Sequence, residues 1–556
     1  MSKPREDSPI FITAALPYAN GQLHFGHLGG VYLPADIYYR HSQLMGRNAV
    51  FICGSDEHGV AITLSAEKEG KDYQTYVDHY HALHQTVLKG YDIETTFYGR
   101  TTSPLHRKIA QDYFLRLKDK KALLELDTQQ PFCTDCQRYV PDRHLGGTCV
   151  HCGCERARGD ECPNCGKWLS FDELKDYFCQ ICQGKHIEVR NDKQWYLDLP
   201  RFVPELRRWI ESHGEWKKNI QKYSLSLIES GLPQRAVTRH INWGIDVPGE
   251  EGSGRKLYVW FEAPIGYLSM LREAFESRGD RDGWKPFWNP KAKMIHFIGK
   301  DNIVFHTIVW PAMLLAAGDG IMPENVPANM YVLLKDQQFS KSAGWTIDSR
   351  VALEQYGSDT LRYYLTSIIP EYDDSSFSWK EFEARVNGEL VNKIANFCNR
   401  VMKLIGQQFV NSLSAQTLQG STCREALEII VKSGAQIRGN LDQFEFRRAL
   451  AEINRFAEHA NKFMNDHEPW KLVKRDAAAA SEVMAACLVF IAGLGSFLSP
   501  FLPRYAARIQ SAFPHLDGNT LYRGELEATA LSHILPLNAA IDLAIPRVTV
   551  PTGMSV

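Results

Sequence analysis

PIFITAALPYANGQLHFGHLGG, residues 9–30, is the stretch that decides the architecture. Residues 9–14 are β-branched and aromatic without a charge, the composition of a strand buried in a parallel sheet. A proline, an Asn-Gly pair and then Gly26, Gly29 and Gly30 mark a turn that feeds a helix. Residues 28–46 continue at helical spacing, and AVFIC at 49–53 reads as a second buried strand. Strand, helix and parallel strand make the β-α-β start of a doubly wound sheet, in which ligands sit beyond the carboxyl ends of the strands. His24 and His27 are three apart, so on the first helical turn they share a face. A helix N-terminus attracts anions, and two imidazole donors there suit a triphosphate; Gly26 between them leaves room for its approach.

The alternation breaks at about residue 120, where a cysteine-rich block occupies 132–183. It returns with LYVWF (257–261), MIHFI (294–298) and MYVLL (330–334). The sheet is therefore expected to be split, with the cysteine block between its halves. From residue 381 the pattern is helical: Leu390, Ile394, Phe397, Val401 and Ile405, then Leu450, Ile453, Ala457, Ala460 and Met464, recur at helix spacing and predict a bundle. The fold class is α/β, a doubly wound, Rossmann-like parallel sheet split by an insertion and followed by an all-α bundle. Its divisions are 1–118 and 241–334 for the sheet halves, 119–240 for the insertion, 335–388 for a loop and stem region, 389–535 for the bundle and 536–556 for a C-terminal tail.

The 556 residues hold 63 Lys+Arg against 65 Asp+Glu, 19 His and 13 Cys, and 44% are hydrophobic. That length implies several domains, and that apolar fraction excludes a disordered chain. A balance near zero excludes a uniformly basic chain but leaves room for a local basic face. MSKPREDSPIFITAALPY lacks the long apolar segment and cleavage site of a secretory signal, so a cytoplasmic location with reduced thiols is expected. Residues 483–502 run without a charge for the length of a membrane span, yet they include Gly493, Gly495, Ser496, Ser499 and Pro500. They read as a buried bundle helix, and no membrane partner is expected.

Four CxxC pairs follow in order, Cys133/Cys136, Cys149/Cys152, Cys162/Cys165 and Cys179/Cys182. Two such knuckles complete one tetrahedral zinc site, so eight thiolates fit two zinc ions. All-thiolate sites leave no open position, which makes them structural. Spacing alone leaves all three pairings of the knuckles open. Farther on, QQFSKSAG at 337–344 presents Lys341 between Ser340 and Ser342 in a loop that can close on phosphates and offset the charge of a leaving pyrophosphate.

HFGH at 24–27 resembles the HIGH signature of class I aminoacyl-tRNA synthetases, and FSKS at 339–342 resembles their KMSKS loop. ALPYANG at 15–21, WFEAPIGYLS at 260–269 and FIGKDNIVFH at 297–306 resemble the methionyl-tRNA synthetase family, and the likeness spans roughly residues 10–535. Membership would imply that methionine attacks the α-phosphate of ATP to give methionyl-adenylate, and that tRNA(Met), initiator and elongator, then accepts the methionyl group. His24, His27 and Lys341 would be the catalytic groups. Gly26, Lys300, Asp301, Ser340 and Ser342 would join them around ATP, Asp301 on the ribose, with Mg²⁺ arriving on the nucleotide. Asp56, in GSDEHG, would hold the α-ammonium of L-methionine. Leu16, Tyr18, Trp260, Ala263, Pro264, Tyr267, His306 and Trp310 would wall its side chain, with Tyr267 and His306 hydrogen-bonding the sulfur.

The resemblance also favours an inner zinc site of Cys149, Cys152, Cys162 and Cys165 and an outer one of Cys133, Cys136, Cys179 and Cys182, with Cys154 left over. Asn396, Arg400 and Trp470 match anticodon-contacting positions, the tryptophan stacking on the first anticodon base. One departure stands out: Gln338 replaces the first lysine of KMSKS, so Lys335 or Lys341 must compensate or activation is slower. That departure motivates a second reading, a tRNA-binding paralogue that does not activate amino acids. A third is the cysteine enzyme, which would need an open metal position near HFGH. No C-terminal dimerisation domain is apparent after the bundle, so a monomer is expected.

Overall fold

The computed structural model describes residues 8–140, 144–159, 162–165, 167, 169, 171–334, 337–338, 347–409 and 411–551. Its central sheet is built from β1 (Ile10–Ala14), β2 (Ala49–Ser55), β3 (Phe97–Arg100), β4 (Lys293–Gly299) and β5 (Pro323–Asn325), with β6 (Ala328–Asn329) beside the end of β4. All pairings are parallel and the order is β5-β4-β1-β2-β3. The chain winds outward from β1 to β3 and then, after the insertion, outward on the other side from β4. The crevice between β1 and β4 is thus the topological switch point, where such sheets bind ligands. Alternation along the strands splits the core: Ile10, Ile12 and Ala14 face one apolar layer and Phe11 the other.

Two expected strands lie elsewhere. Of LYVWF, only Leu257 is in a strand, Arg255–Leu257, paired antiparallel with Thr238–His240, while Val259–Glu262 is helical. A five-residue apolar run fits a buried helical turn as well as a strand, and periodicity cannot separate them. MYVLL contributes Val332–Leu334 to a separate small sheet, antiparallel to Gln337–Gln338 and parallel to Ser375–Phe377. The places at the central sheet's edge are taken by β5 and β6, whose short polar sequences carry no strand signal.

The insertion departs on a long antiparallel arm, Leu123–Cys133 against Ile187–Leu197, with Leu123 opposite Leu197 at the base and Cys133 opposite Ile187 at the tip. That register carries the first and last cysteine knuckles to one end of the arm.

Helices Ser421–Asp442, Phe446–His467 and Ala477–Leu498 form the bundle. Ala477–Leu498 has a mean hydropathy of 2.0 and is the one helix among the described residues apolar and long enough to cross a bilayer, yet 78% of its most apolar window is buried by its neighbours. The bundle shares one continuous apolar core with the β1–β2–β4 face of the sheet. A fully buried Arg362 joins them: its guanidinium donates to Asp36 Oδ2 (2.7 Å), to the Phe501 carbonyl (2.7 Å) and to the Tyr91 carbonyl (3.0 Å). A buried charge is tolerated when paired and fully hydrogen-bonded, as here. His41 repeats the connection through Tyr522 (2.7 Å) and Asp442 (3.0 Å). The segment after residue 535 packs back, with Asn387 and Val548 exchanging hydrogen bonds of 2.8 and 2.9 Å.

Candidate active site

One continuous helix runs from the carboxyl end of β1: Phe25–His27, a π-wound segment Leu28–Tyr32, then Leu33–Leu44. His24 is its N-cap, and its Nδ1 accepts from the Gly26 amide (3.1 Å). His27 Nδ1 accepts in turn from the His24 amide (3.3 Å), and the two rings stack with centroids 3.9 Å apart. Both Nδ1 atoms are thus occupied as acceptors of backbone amides. The helix start thereby holds two imidazole rings in fixed orientation beside its own amides, an arrangement chemically suited to an anion. The π segment is held from the sheet by Asn329, whose Nδ2 donates to the Gly30 carbonyl (2.8 Å). Such π turns occur frequently at functional sites.

Ser340, Lys341 and Ser342 lie outside the described residues, as does Lys335. The two anchors of their loop do not. On the entry side, Val332 lies against the helix: a Cβ on Gly29 would sit 3.5 Å from Val332 Cγ2. On the exit side, Asp348 Oδ1 accepts from Gln22 Nε2 (2.7 Å), Ser349 Oγ donates to the Leu23 carbonyl (2.7 Å), and Tyr91 OH donates to the Ser349 carbonyl (2.6 Å). Val332 on one side of that segment and Asp348 and Ser349 on the other are therefore fastened to the residues that flank HFGH.

Beside this helix, across β1 and β2, lies a cavity of about 70 Å³. Leu16, Tyr18, Asp56, Trp260, Ala263, Pro264, Tyr267 and His306 line it, joined by Ala15, Asn302 and Phe305, which the sequence reading missed. Asn302 and Phe305 are within four residues of His306, so its helical turn was the available signal. Trp310 does not line the cavity; it is wholly buried behind it, against Tyr113 and Trp288. Trp260 meets Phe305 edge-on at 3.9 Å and donates from Nε1 to Tyr18 OH (2.6 Å). His306 Nδ1 donates to the Asn302 carbonyl (2.9 Å), which leaves Nε2 to accept from Tyr267 OH (2.8 Å). Burial pushes the His306 pKa down to about 4, so the ring is neutral. Both protons are thus spent inside the wall, which turns aromatic and apolar surface toward the cavity.

At the rim sits Asp56, 5% exposed, with an Oδ1 that no donor among the described residues reaches. Burial, and then the neighbouring Glu262, raise its pKa well above the ordinary carboxylate range. Burial would raise Glu262 as well, but His58 (2.9 Å) and His106 (2.6 Å) outweigh it and hold that carboxyl low. The two acids are therefore not equivalent. Glu262 is satisfied, whereas Asp56 has no cationic partner among the described residues. Gly59, at φ +103°, turns the chain directly after DEH, a backbone position that glycine takes without strain.

Asp301 accepts from Tyr331 OH, and Lys300 is paired with Asp374 (3.1 Å) while lying over the Tyr331 ring (3.8 Å). Through Tyr18 and Trp260 the small cavity adjoins a larger one of about 320 Å³, set between the central sheet and the insertion. Tyr196, Arg235, Arg239 and Tyr258 line it, residues that carry no motif in the sequence.

The cysteines fall into two groups, Cys133, Cys136, Cys179 and Cys182, and Cys149, Cys152, Cys162 and Cys165, with the sulfurs of each within 4.8 Å of one another. Individual Sγ–Sγ distances are 3.5 Å (Cys152–Cys162), 3.6 Å (Cys133–Cys182) and 3.8 Å (Cys136–Cys179). A tetrahedron with metal–sulfur bonds of about 2.3 Å has edges of about 3.8 Å, so both donor sets fit a tetrahedral metal ion. In the bundle, Asn396 is exposed and the Arg400 guanidinium lies 5.8 Å from the ring centroid of Trp470, opposite the buried Ile394, Phe397 and Val401.

Residues 10–402 match the family model of class I tRNA synthetases (M), and residues 417–548 match that of the anticodon binding domain of methionyl tRNA ligase. A methionine–tRNA ligase of Parabacteroides distasonis is 42% identical over 496 residues, covering 88% of this chain and 72% of that protein. One from Rubrobacter xylanophilus is 39% identical over 517 residues, with 90% and 89% covered. Mycobacterium tuberculosis methionyl-tRNA synthetase bound by methionyl-adenylate superposes with a TM-score of 0.75 at 20% identity, covering 99% of this chain and 100% of that one, a likeness of fold. With its sheet, its histidine helix and its bundle matched in one order along the chain, this protein belongs to the methionyl family of class I tRNA synthetases.

Proposed function

We propose that the chain activates L-methionine with ATP and transfers it to tRNA(Met). The observation that carries this reading is Asp56: a buried carboxylate oxygen without a donor among the described residues, at the rim of an aromatic cavity one strand away from the HFGH helix. An α-ammonium would satisfy it, leaving the amino acid's side chain in the cavity and its carboxylate turned toward the helix start. There the Nε2–H groups of His24 and His27 would receive the triphosphate, with Lys341, Ser340 and Ser342 closing over it from the loop anchored on both sides of HFGH. The carboxylate oxygen attacks the α-phosphorus, the bond to the bridging oxygen breaks, and pyrophosphate leaves. No side-chain nucleophile is needed; these groups position the reactants and stabilise charge. Asp301 would take the ribose after parting from Tyr331, and Lys300 would remain nearby. Mg²⁺ would arrive with ATP.

The larger cavity, with its arginines and tyrosines, suits the single-stranded 3′ end of the tRNA, which binds by stacking and charge. Both cysteine groups would hold structural Zn²⁺. Among the described residues no metal-holding cluster lies beside HFGH, which disfavours the cysteine-enzyme reading.

Charging of tRNA(Met) with labelled methionine tests the proposal, and absence of charged product sinks it. Trp470→Ala is expected to lower charging by roughly 5- to 100-fold, the loss of one base–aromatic stack, with ATP–pyrophosphate exchange unchanged. A parallel loss of exchange would remove Trp470 from the anticodon role. Metal analysis of the purified chain should give two zinc ions, falling to one in Cys149→Ser/Cys152→Ser; two retained in that variant would contradict the inner site.

A further inference from the structure

Beside the amino-acid cavity lies a buried polar cluster that the chemistry proposed above does not use. Glu262 ends the short helix Val259–Glu262, which carries Trp260 into the cavity wall, and its side chain is wholly buried. A carboxylate only accepts, so the two rings that face it donate: His58 Nδ1 to Oε1 (2.9 Å) and His106 Nε2 to Oε2 (2.6 Å). Both rings are buried as well. His106 Nδ1 in turn shares a hydrogen bond with Ser269 Oγ (2.8 Å), on the helix Ile265–Glu276 that holds Tyr267. The cluster therefore joins three pieces of the cavity: the turn of Asp56, the helix of Trp260 and the helix of Tyr267.

Glu57, in the same turn as Asp56, is an acid with a purely structural set of partners: Arg100 (2.8 Å), Ser55 (2.6 Å) and Thr102 all donate to it. Glu262 differs, because its ion pairs among the described residues are with the two histidines alone. A buried ionic cluster seldom adds stability over packed apolar side chains of the same volume, so stability does not account for this one. Its place does. His58, whose ring Glu262 holds, donates its own backbone amide to the Asp56 carboxylate, and the Glu262 charge is itself felt at Asp56. A second anion near Asp56 favours a cation there over a neutral group.

We infer that Glu262 is a positioning residue for the amino acid: through His58 it fixes the turn of Asp56, and its charge favours an α-ammonium over a neutral group at that carboxylate. The inference rests on the reading of Asp56 as the ammonium site. The test follows methionine-dependent ATP–pyrophosphate exchange at mildly alkaline pH in the full chain and in its Glu262→Gln variant. The α-hydroxy analogue of methionine, in which a neutral hydroxyl replaces the ammonium, serves as a competitor. The variant should raise the methionine KM roughly tenfold, with kcat within about twofold of the wild type and with little loss of affinity for the hydroxy analogue. Equal losses for methionine and the analogue would show that Glu262 merely braces the cavity, and an unchanged methionine KM would show that it does nothing for the ligand; either overturns the inference. Failure of the Asp56 reading shows itself separately, as no exchange in the wild type or as normal methionine binding by Asp56→Asn. Should Glu262→Gln melt early, His58→Ala breaks the link on the Asp56 side while leaving His106 on Glu262, and it should give the same selective rise in KM.

Discussion

Replacing His27 by alanine is expected to slow adenylate formation by roughly 100- to 1000-fold, the effect of removing one preorganised donor from developing phosphate charge, while methionine affinity changes little. The asymmetry follows from where the ring sits. His27 is on the helix start, and the cavity is lined by other residues. Its Nδ1 is engaged by the His24 amide, so Nε2–H is the group it presents. The substitution also removes that amide's acceptor, a cap contact worth about 1 kcal/mol, so melting temperature should be followed in parallel. Pre-steady-state adenylate formation and equilibrium methionine binding separate the two effects. Equal losses in both would show that His27 contributes to ground-state binding and not to the transition state.

Asp56→Asn should do two opposite things. Methionine binding should weaken by roughly 30- to several-thousand-fold, the consequence of removing one partner of a buried charge pair worth about 2–5 kcal/mol. The free protein should become more stable. Burial and Glu262 raise the Asp56 pKa in the folded chain. In the unfolded chain the group ionises near the ordinary carboxylate value, so between that value and the raised one the unfolded state holds fewer protons. Stability of the wild type therefore falls as pH rises through this window. Asparagine has no such term, so the variant's advantage should be absent below about pH 4 and grow toward neutral pH. By the same linkage, wild-type methionine affinity should rise with pH across that window. Thermal melts and calorimetry from pH 4 to 8 measure both; a variant that binds methionine normally, or is less stable at every pH, contradicts the account of Asp56.

The strands β1, β2 and β4 were legible because a strand covered on both faces must be apolar throughout, and such runs are conspicuous. LYVWF was misread for the same reason, since a helical turn buried on all sides has the same composition. The polar edge strands β5 and β6 carry no such signal. In the site, HFGH and the cavity residues announced themselves through motif resemblance. Lys341 and its neighbouring serines did so too, but fall outside the described residues, so only the loop's anchors can be placed. The knuckle pairing was beyond spacing, because it depends on the arm whose register sets Cys133 opposite Ile187. Trp310 shares a helix with His306 but lies one turn on, behind the wall. Arg239 and Tyr258 line the larger cavity only because the insertion folds over the sheet, a tertiary consequence that no local pattern records.

The most direct test of the central claim is methionine-dependent exchange of pyrophosphate into ATP by the intact chain, with leucine and cysteine in parallel. Strong exchange with methionine, and little with the other two, is the predicted result, because adenylate forms only when a methionine-selective cavity and a triphosphate site meet. No exchange with methionine, from a folded chain that still binds tRNA(Met), would contradict it and leave the Gln338 substitution as the mark of a chain that has lost activation.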